Sequence, residues 1–185
     1  MFKGIMVGIV LTVAAAVGGA YWCVENGRVP ANADAKPSRL ETWAAQTSLD
    51  ATLHREAPKK DNPVAFNEQN LNNGVHLFAE YCAVCHGSAQ GAKSPSPIAK
   101  GLYQKPPQLA TDGVEDDSEG FTFWKIKHGI RLTGMPSFAD SLTDQQIWTL
   151  ALFLYHMDKL PPAVQQNWEQ VQNWPLATAN PVAPK

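Results

Sequence analysis

Cys82-Ala83-Val84-Cys85-His86-Gly87 is the stretch on which the reading of this chain turns. Two thiols stand on either side of a two-residue spacer, and an imidazole follows the second directly. Just before it, Leu71, Val75, Phe78 and Ala79 recur at helical spacing. That pattern predicts a helix over 68–81 that delivers the cysteine motif at its end. Further on, Glu119–His128 reads as a second helix, apolar at Phe123, Trp124 and Ile126 and stopped by Gly129. Thr143 and Gln146 form a capping box at the head of a third helix, which runs to 155 with Ile147, Leu150, Ala151, Leu154 and Tyr155 on its apolar face. Residues 87–117 hold many prolines and glycines without sustained periodicity and are expected to be loop. With no strand pattern and no internal repeat, the fold class is all-α.

Cys-x-x-Cys-His gives each part a separate task. Two thiols on one helical turn match the spacing of the two vinyl groups of a haem, and the adjoining histidine offers its imidazole to the iron. A thioredoxin-like pair would need a βαβ context, and a zinc site would need two further ligands at zinc spacing. The sequence supplies neither. One covalent haem c, held by Cys82 and Cys85 and ligated by His86, is therefore expected.

The chain resembles the class I c-type cytochromes over about residues 66–160. Gly74 and Phe78, CAVCHG at 82–87, Gly134-Met135-Pro136 and the capped helix at 143–155 carry the resemblance. It implies three main helices around one haem, with first and last helices crossing at a glycine and an aromatic; Gly74, Phe78 and Trp148 are the candidates. It also implies a sixth iron ligand far along the chain. Met135 lies between a glycine and a proline that can fix the backbone and aim a thioether. The alternatives are His76, His128 and Met157, of which Met157 is expected to pack at the end of the last helix. His/Met ligation fills both axial positions and raises the potential. The family's usual proline carbonyl, which receives the proximal imidazole N–H, has four candidates in Pro95, Pro97, Pro106 and Pro107. Arg131 is a candidate for a haem propionate, and Trp124 for pocket lining or core. The acidic run 115–119 is either a docking patch or a solvated face.

Gly4 to Val24 carries no charge and is about the length that crosses a bilayer as a helix. Lys3 before it fits a cytoplasmic N-terminus, and Tyr21-Trp22 suit the far interface. A cleaved signal peptide, cut ahead of Tyr21, is the competing reading. Either one exports the remainder. The expected plan is thus an anchor at 1–24, a tether at 25–65, the haem domain at 66–160, and a tail at 161–185. Extra helices are expected at 39–55, opened by the Ser38-x-x-Glu41 capping box, and at about 162–172. The first places Leu40, Trp43, Ala44, Thr47 and Leu53 on one face, expected to pack on the haem domain.

The 185 residues are 44% hydrophobic with a net charge of −2, ordinary for a globular protein. No basic stripe calls for nucleic acid, and three cysteines are too few for a disulfide framework. The reading is one-electron transfer between a redox donor and an acceptor, with no small-molecule substrate. The chain would be anchored in the inner membrane through 4–24, with its haem in the periplasm. Membership of a membrane dehydrogenase or oxidase complex, as its electron-transfer subunit, is the alternative; a haem enzyme or gas sensor would need the distal position open.

Overall fold

A computed structural model describes residues 2–89, 95–114 and 116–171, and the chain divides into two compact units, Met1–Ala35 and Lys36–Lys185. The first unit is one helix, α1 (Phe2–Glu25), with a mean hydropathy of 2.0. Its Ile, Val, Leu and Met side chains are all exposed, as suits a helix whose solvent is lipid. By length and composition it can cross a membrane. Just beyond its end the Arg28 guanidinium lies 5.8 Å from the Trp22 ring centroid, a cation–π contact at the level where a bilayer interface would fall.

In the second unit, α2 (Arg39–Glu56) is opened by the Ser38/Glu41 capping box, each side chain bonding the other's backbone N–H. Asn67 caps α3 (Glu68–Tyr81), and Cys82 turns the chain into the single turn α4 (Ala83–His86). Two short helices follow in the stretch expected as loop: α5 (Pro97–Gly101) and α6 (Leu109–Asp112). Ser96 followed by Pro97 is a helix-start signature, and the Ser96 Oγ accepts the Ala99 N–H. One turn each is too little for hydrophobic periodicity to register.

Ser118 caps α7 (Glu119–His128), and the Thr143/Gln146 box opens α8 (Asp144–Tyr155). A 3-10 turn (Met157–Lys159) leads to α9 (Pro162–Gln170), with Pro162 at its first position. These are helices throughout; no strand occurs among the described residues. The tail beyond Val171 and Glu115 of the acidic run lie outside the described residues.

The core forms where α3 crosses α8. Leu71, Gly74, Val75 and Phe78 of α3 are buried, and every residue of α8 from Ile147 to Leu154 is buried as well. A Cβ on Gly74 would lie 2.5 Å from the Phe153 Cβ and 2.9 Å from the Thr149 carbonyl oxygen, so only glycine permits this approach. The aromatic at the crossing is Phe153 and not Trp148, whose ring instead stacks on Phe123 of α7 at 4.3 Å. Phe78, Phe153 and Trp168 of α9 meet edge to face, with ring centroids 5.3–5.8 Å apart. The apolar core therefore runs on past residue 160 through Val164 and Trp168, and Met157 is buried in it.

The face of α2 behaves differently from its sequence expectation. Leu53 is buried, but Leu40 and Trp43 are 71% and 63% exposed. Packing onto the domain comes from the helix's C-terminal end and the linker after it. There Ala57 and Val64 are buried, and Asn62 donates to the Glu119 carboxylate (2.8 Å) and the Trp148 carbonyl (3.0 Å).

The crossing gives a direct test. Gly74→Val should destabilise the holoprotein by about 3 kcal/mol, because two backbones must separate to admit the side chain. Gly101→Ala, where a Cβ meets nothing within 4 Å, should be neutral in the same denaturant titration.

Candidate functional site

The C-terminal end of α3 opens onto an apolar cleft, part of it open to solvent. One wall is Tyr81, Cys82, Cys85 and His86. Facing it are Ile126 and Ile130 with Gly134, Met135, Pro136 and Phe138. Leu102 and residues 104–107 complete the lining. Two thiols, an imidazole and a thioether, distant in sequence, thus line one cavity.

Each wall is fixed by how its helix ends are satisfied. The last carbonyls of a helix lack intrahelical partners. In α4 the Val84 carbonyl accepts from Ser96 Oγ (2.5 Å), and the Cys85 carbonyl accepts from Gln108 Nε2 (3.0 Å). Loop side chains thereby clamp the cysteine turn from outside. At the end of α7, Gly129 donates to Lys125, Phe138 to Ile126, and Ser137 Oγ to Lys127. These bonds fold the methionine loop back onto α7. Within it Ile130 N donates to the Met135 carbonyl (3.1 Å), and Met135 N to Thr133 Oγ1 (3.1 Å). Met135 is consequently held at half-burial by bonds on both sides of its backbone.

His86 Nδ1 lies 2.9 Å from the Pro107 carbonyl oxygen. A carbonyl only accepts, so Nδ1 carries the hydrogen and the Nε2 lone pair is left free. Of the four prolines the sequence offered, Pro107 is the acceptor. Burial lowers the His86 pKa while the Pro107 bond raises it; burial is the larger effect and favours the neutral imidazole. Burial pushes the Cys82 thiol up to about 12, with Cys85 adding to the shift, and raises Cys85 as well. Both sulfurs are neutral thiols at physiological pH.

This donor set fits a haem. The walls are apolar, and no three His, Cys, Asp or Glu side chains gather to hold a bare ion among the described residues. A metal here must bring its own equatorial donors, as an iron porphyrin does, and take only axial ligands from the chain.

Other residues lie elsewhere. Arg131 is exposed and does not line the cleft; the lysine that does, Lys105, donates to the carbonyls of Lys100 and Leu102. Trp124 packs on His128, the last residue of α7, and not on the cleft. Asp117 of the acidic run pairs with Lys125 (2.6 Å), and His76 is exposed on α3. Ser96, Gln108, Thr133 and Ser137 were not singled out by the sequence. Only Ser96, in front of Pro97, had a readable signal. Tyr103, between two rim residues, donates its hydroxyl to Glu41 of α2 (2.7 Å), tying that helix to the cleft's edge.

An all-helical domain with this cavity and this donor set can house a haem. Residues 69–154 match the family described as cytochrome c oxidase, cbb3-type, subunit III, a match that supports a c-type cytochrome domain over this stretch. Among characterised proteins, the chain is similar to one of the subunits of nicotinate dehydrogenase from Pseudomonas putida, 32% identical over 107 residues. That match covers 54% of this chain and 8% of the length of the relative.

Gly129 carries a prediction for this site. Its φ is +66°, and a Cβ there would lie 2.5 Å from the Pro136 carbonyl carbon. Gly129→Ala should therefore lower stability by at least about 2 kcal/mol through left-handed strain and backbone collision. Hydrogen exchange should quicken first at Ile130, whose N–H to the Met135 carbonyl closes the loop, and at Met135, whose N–H goes to Thr133 Oγ1.

Proposed function

We propose that the chain carries one covalently bound haem c and passes single electrons between a donor and an acceptor outside the cytoplasm. Cys82 and Cys85 would hold the group by thioether bonds, and His86 Nε2 and the Met135 sulfur would ligate its iron. The observation that carries this reading is the convergence of the Cys-x-x-Cys-His turn and Met135 on one apolar cleft. The bound group supplies a reversible one-electron couple at iron. The chain's own residues do the remainder. His86 is oriented and made more basic by its bond to Pro107. With His86 and Met135 both ligating the group, no iron position would be left for a substrate. The apolar walls keep water from the iron, and Lys105 is the cation beside the rim. Helix α1 anchors the chain in the inner membrane, with Lys3 retained on the cytoplasmic side and the domain in the periplasm.

A second reading is an electron-transfer component of a dehydrogenase complex. The similarity to a dehydrogenase subunit favours it. Purification from native membranes in mild detergent separates the two: a stoichiometric oxidoreductase partner supports the complex, and a lone cytochrome supports the carrier.

The ligand assignment is tested by substitution. Intact mass should exceed that of the polypeptide by one haem, which acidified organic solvent should fail to extract. In Met135→Ala the long-wavelength sulfur-to-iron(III) absorption should disappear, and the reduced protein should bind carbon monoxide. Loss of that band in Met157→Ala instead would move the ligand. Carbonate-washed membranes should retain the holoprotein, and detergent should release it.

A further inference from the structure

We infer that Gln108 is a positioning residue that sets the electronic state of the iron through the His86–Pro107 hydrogen bond; this rests on the axial role proposed for His86. The carbonyl that receives the imidazole N–H belongs to the second of two consecutive prolines, Pro106-Pro107. Neither has a backbone N–H, so the segment has no donor of its own with which to fasten itself. Fastening falls to the next residue. The Gln108 backbone is fixed to the start of α6: its carbonyl accepts from Thr111 and Asp112 (2.8 Å each), and its N–H donates to the Asp112 carboxylate (2.6 Å). Its side-chain amide reaches the other way, donating to the carbonyls of Cys85 (3.0 Å) and Pro106 (3.3 Å). One residue thus spans the cysteine turn and the proline pair on either side of the His86 bond.

The orientation of that amide is not interchangeable. Turning it over would set its oxygen against two carbonyl oxygens, so the nitrogen must face them. The consequence is that Gln108 Oε1 is buried with no hydrogen-bond partner among the described residues. An unpaired buried acceptor is destabilising. A side chain kept only to fill space would carry no such penalty; an apolar residue of similar length would fill the same volume without it. What glutamine adds is the pair of donors that fixes the distance from the Pro107 carbonyl to Nδ1. That bond raises imidazole basicity and so favours ferric over ferrous iron.

Ser96 provides the contrast. It clamps the neighbouring carbonyl, Val84, but has no link to Pro107. The test compares full-length holoproteins carrying Gln108→Met, Gln108→Asn and Ser96→Ala. Methionine keeps the length and burial without donors; asparagine keeps the donors one methylene short of both carbonyls. The readouts are the midpoint potential by spectroelectrochemical titration and the His86 Nδ1–H resonance in the reduced state. Both Gln108 variants should raise the potential, changing the ferric-to-ferrous ratio at fixed ambient potential about tenfold, or about 59 mV for one electron. The Nδ1–H resonance should move upfield as its bond lengthens. Ser96→Ala should lower the melting temperature and leave both readouts in place. Unshifted potential and resonance in the Gln108 variants would overturn the inference, whatever happens to their stability. So would an equal shift in Ser96→Ala, which would mark a general loosening of the turn. A wild-type spectrum without a low-spin histidine ligand would instead defeat the axial assignment itself.

Discussion

Everything at the cleft depends on how closely α3 approaches α8. The hydrogen on Gly74 is what lets the two backbones meet, with the Thr149 carbonyl and Phe153 Cβ where a side chain would otherwise stand. That contact sets the height at which α3 ends, and so the level at which Cys82 begins the α4 turn. Because α7 packs on the same helix through Phe123 and Trp148, the opposite wall is referenced to α8 as well. Both walls are thus measured from one buried helix. Buried cores are close-packed and yield little to stress, so a small displacement at the crossing would be transmitted to the separation of His86 and Met135.

Above that frame, the site is assembled by satisfying helix ends. A helix that stops inside a protein leaves carbonyls that need donors. In α4 these donors are side chains from a long connection, and in α7 they come from the methionine loop. Met135 and the Pro107 carbonyl sit on irregular backbone and His86 on a single helical turn, yet each is held close to the bonds that complete a regular element. This is a general way to obtain a rigid site from loops: the scaffold's unsatisfied ends fix the loop's geometry.

The helices were legible in the sequence because their signals are local. Capping boxes at Ser38 and Thr143 and a 3.6-residue apolar period in 68–81 depend on neighbours a few positions apart, and the observed ends fall within a residue or two of the readings. The motif itself was equally local. What escaped is what depends on distance. Which proline meets His86 is a contact across 21 positions, and nothing in the composition of the loop ranks Pro107 above Pro106. Gln108 is a polar residue in a polar connection until its amide is seen against Cys85. The partner of Gly74 was misjudged by one turn and more, from Trp148 to Phe153, since two aromatics on one buried helix look alike in sequence. Leu40 and Trp43 share a helical face with Leu53, but only Leu53 has a surface to meet.

A one-electron carrier has to accept a unit change of charge with as little rearrangement of its surroundings as possible. Charged or mobile dipolar groups in the walls would reorient at each cycle, and that reorganisation would slow transfer. The cleft is lined mainly by apolar side chains, among them Leu102, Ile126, Ile130, Met135 and Phe138, with few polar tips near the rim. The Nδ1–H of His86 is committed to a backbone carbonyl, which cannot take the proton. The dipoles that remain are the fixed peptide groups of α4 and of the methionine loop, each already bonded. Preorganisation of this kind lets the surrounding charge distribution be right for both states at once, because it has almost nothing free to move.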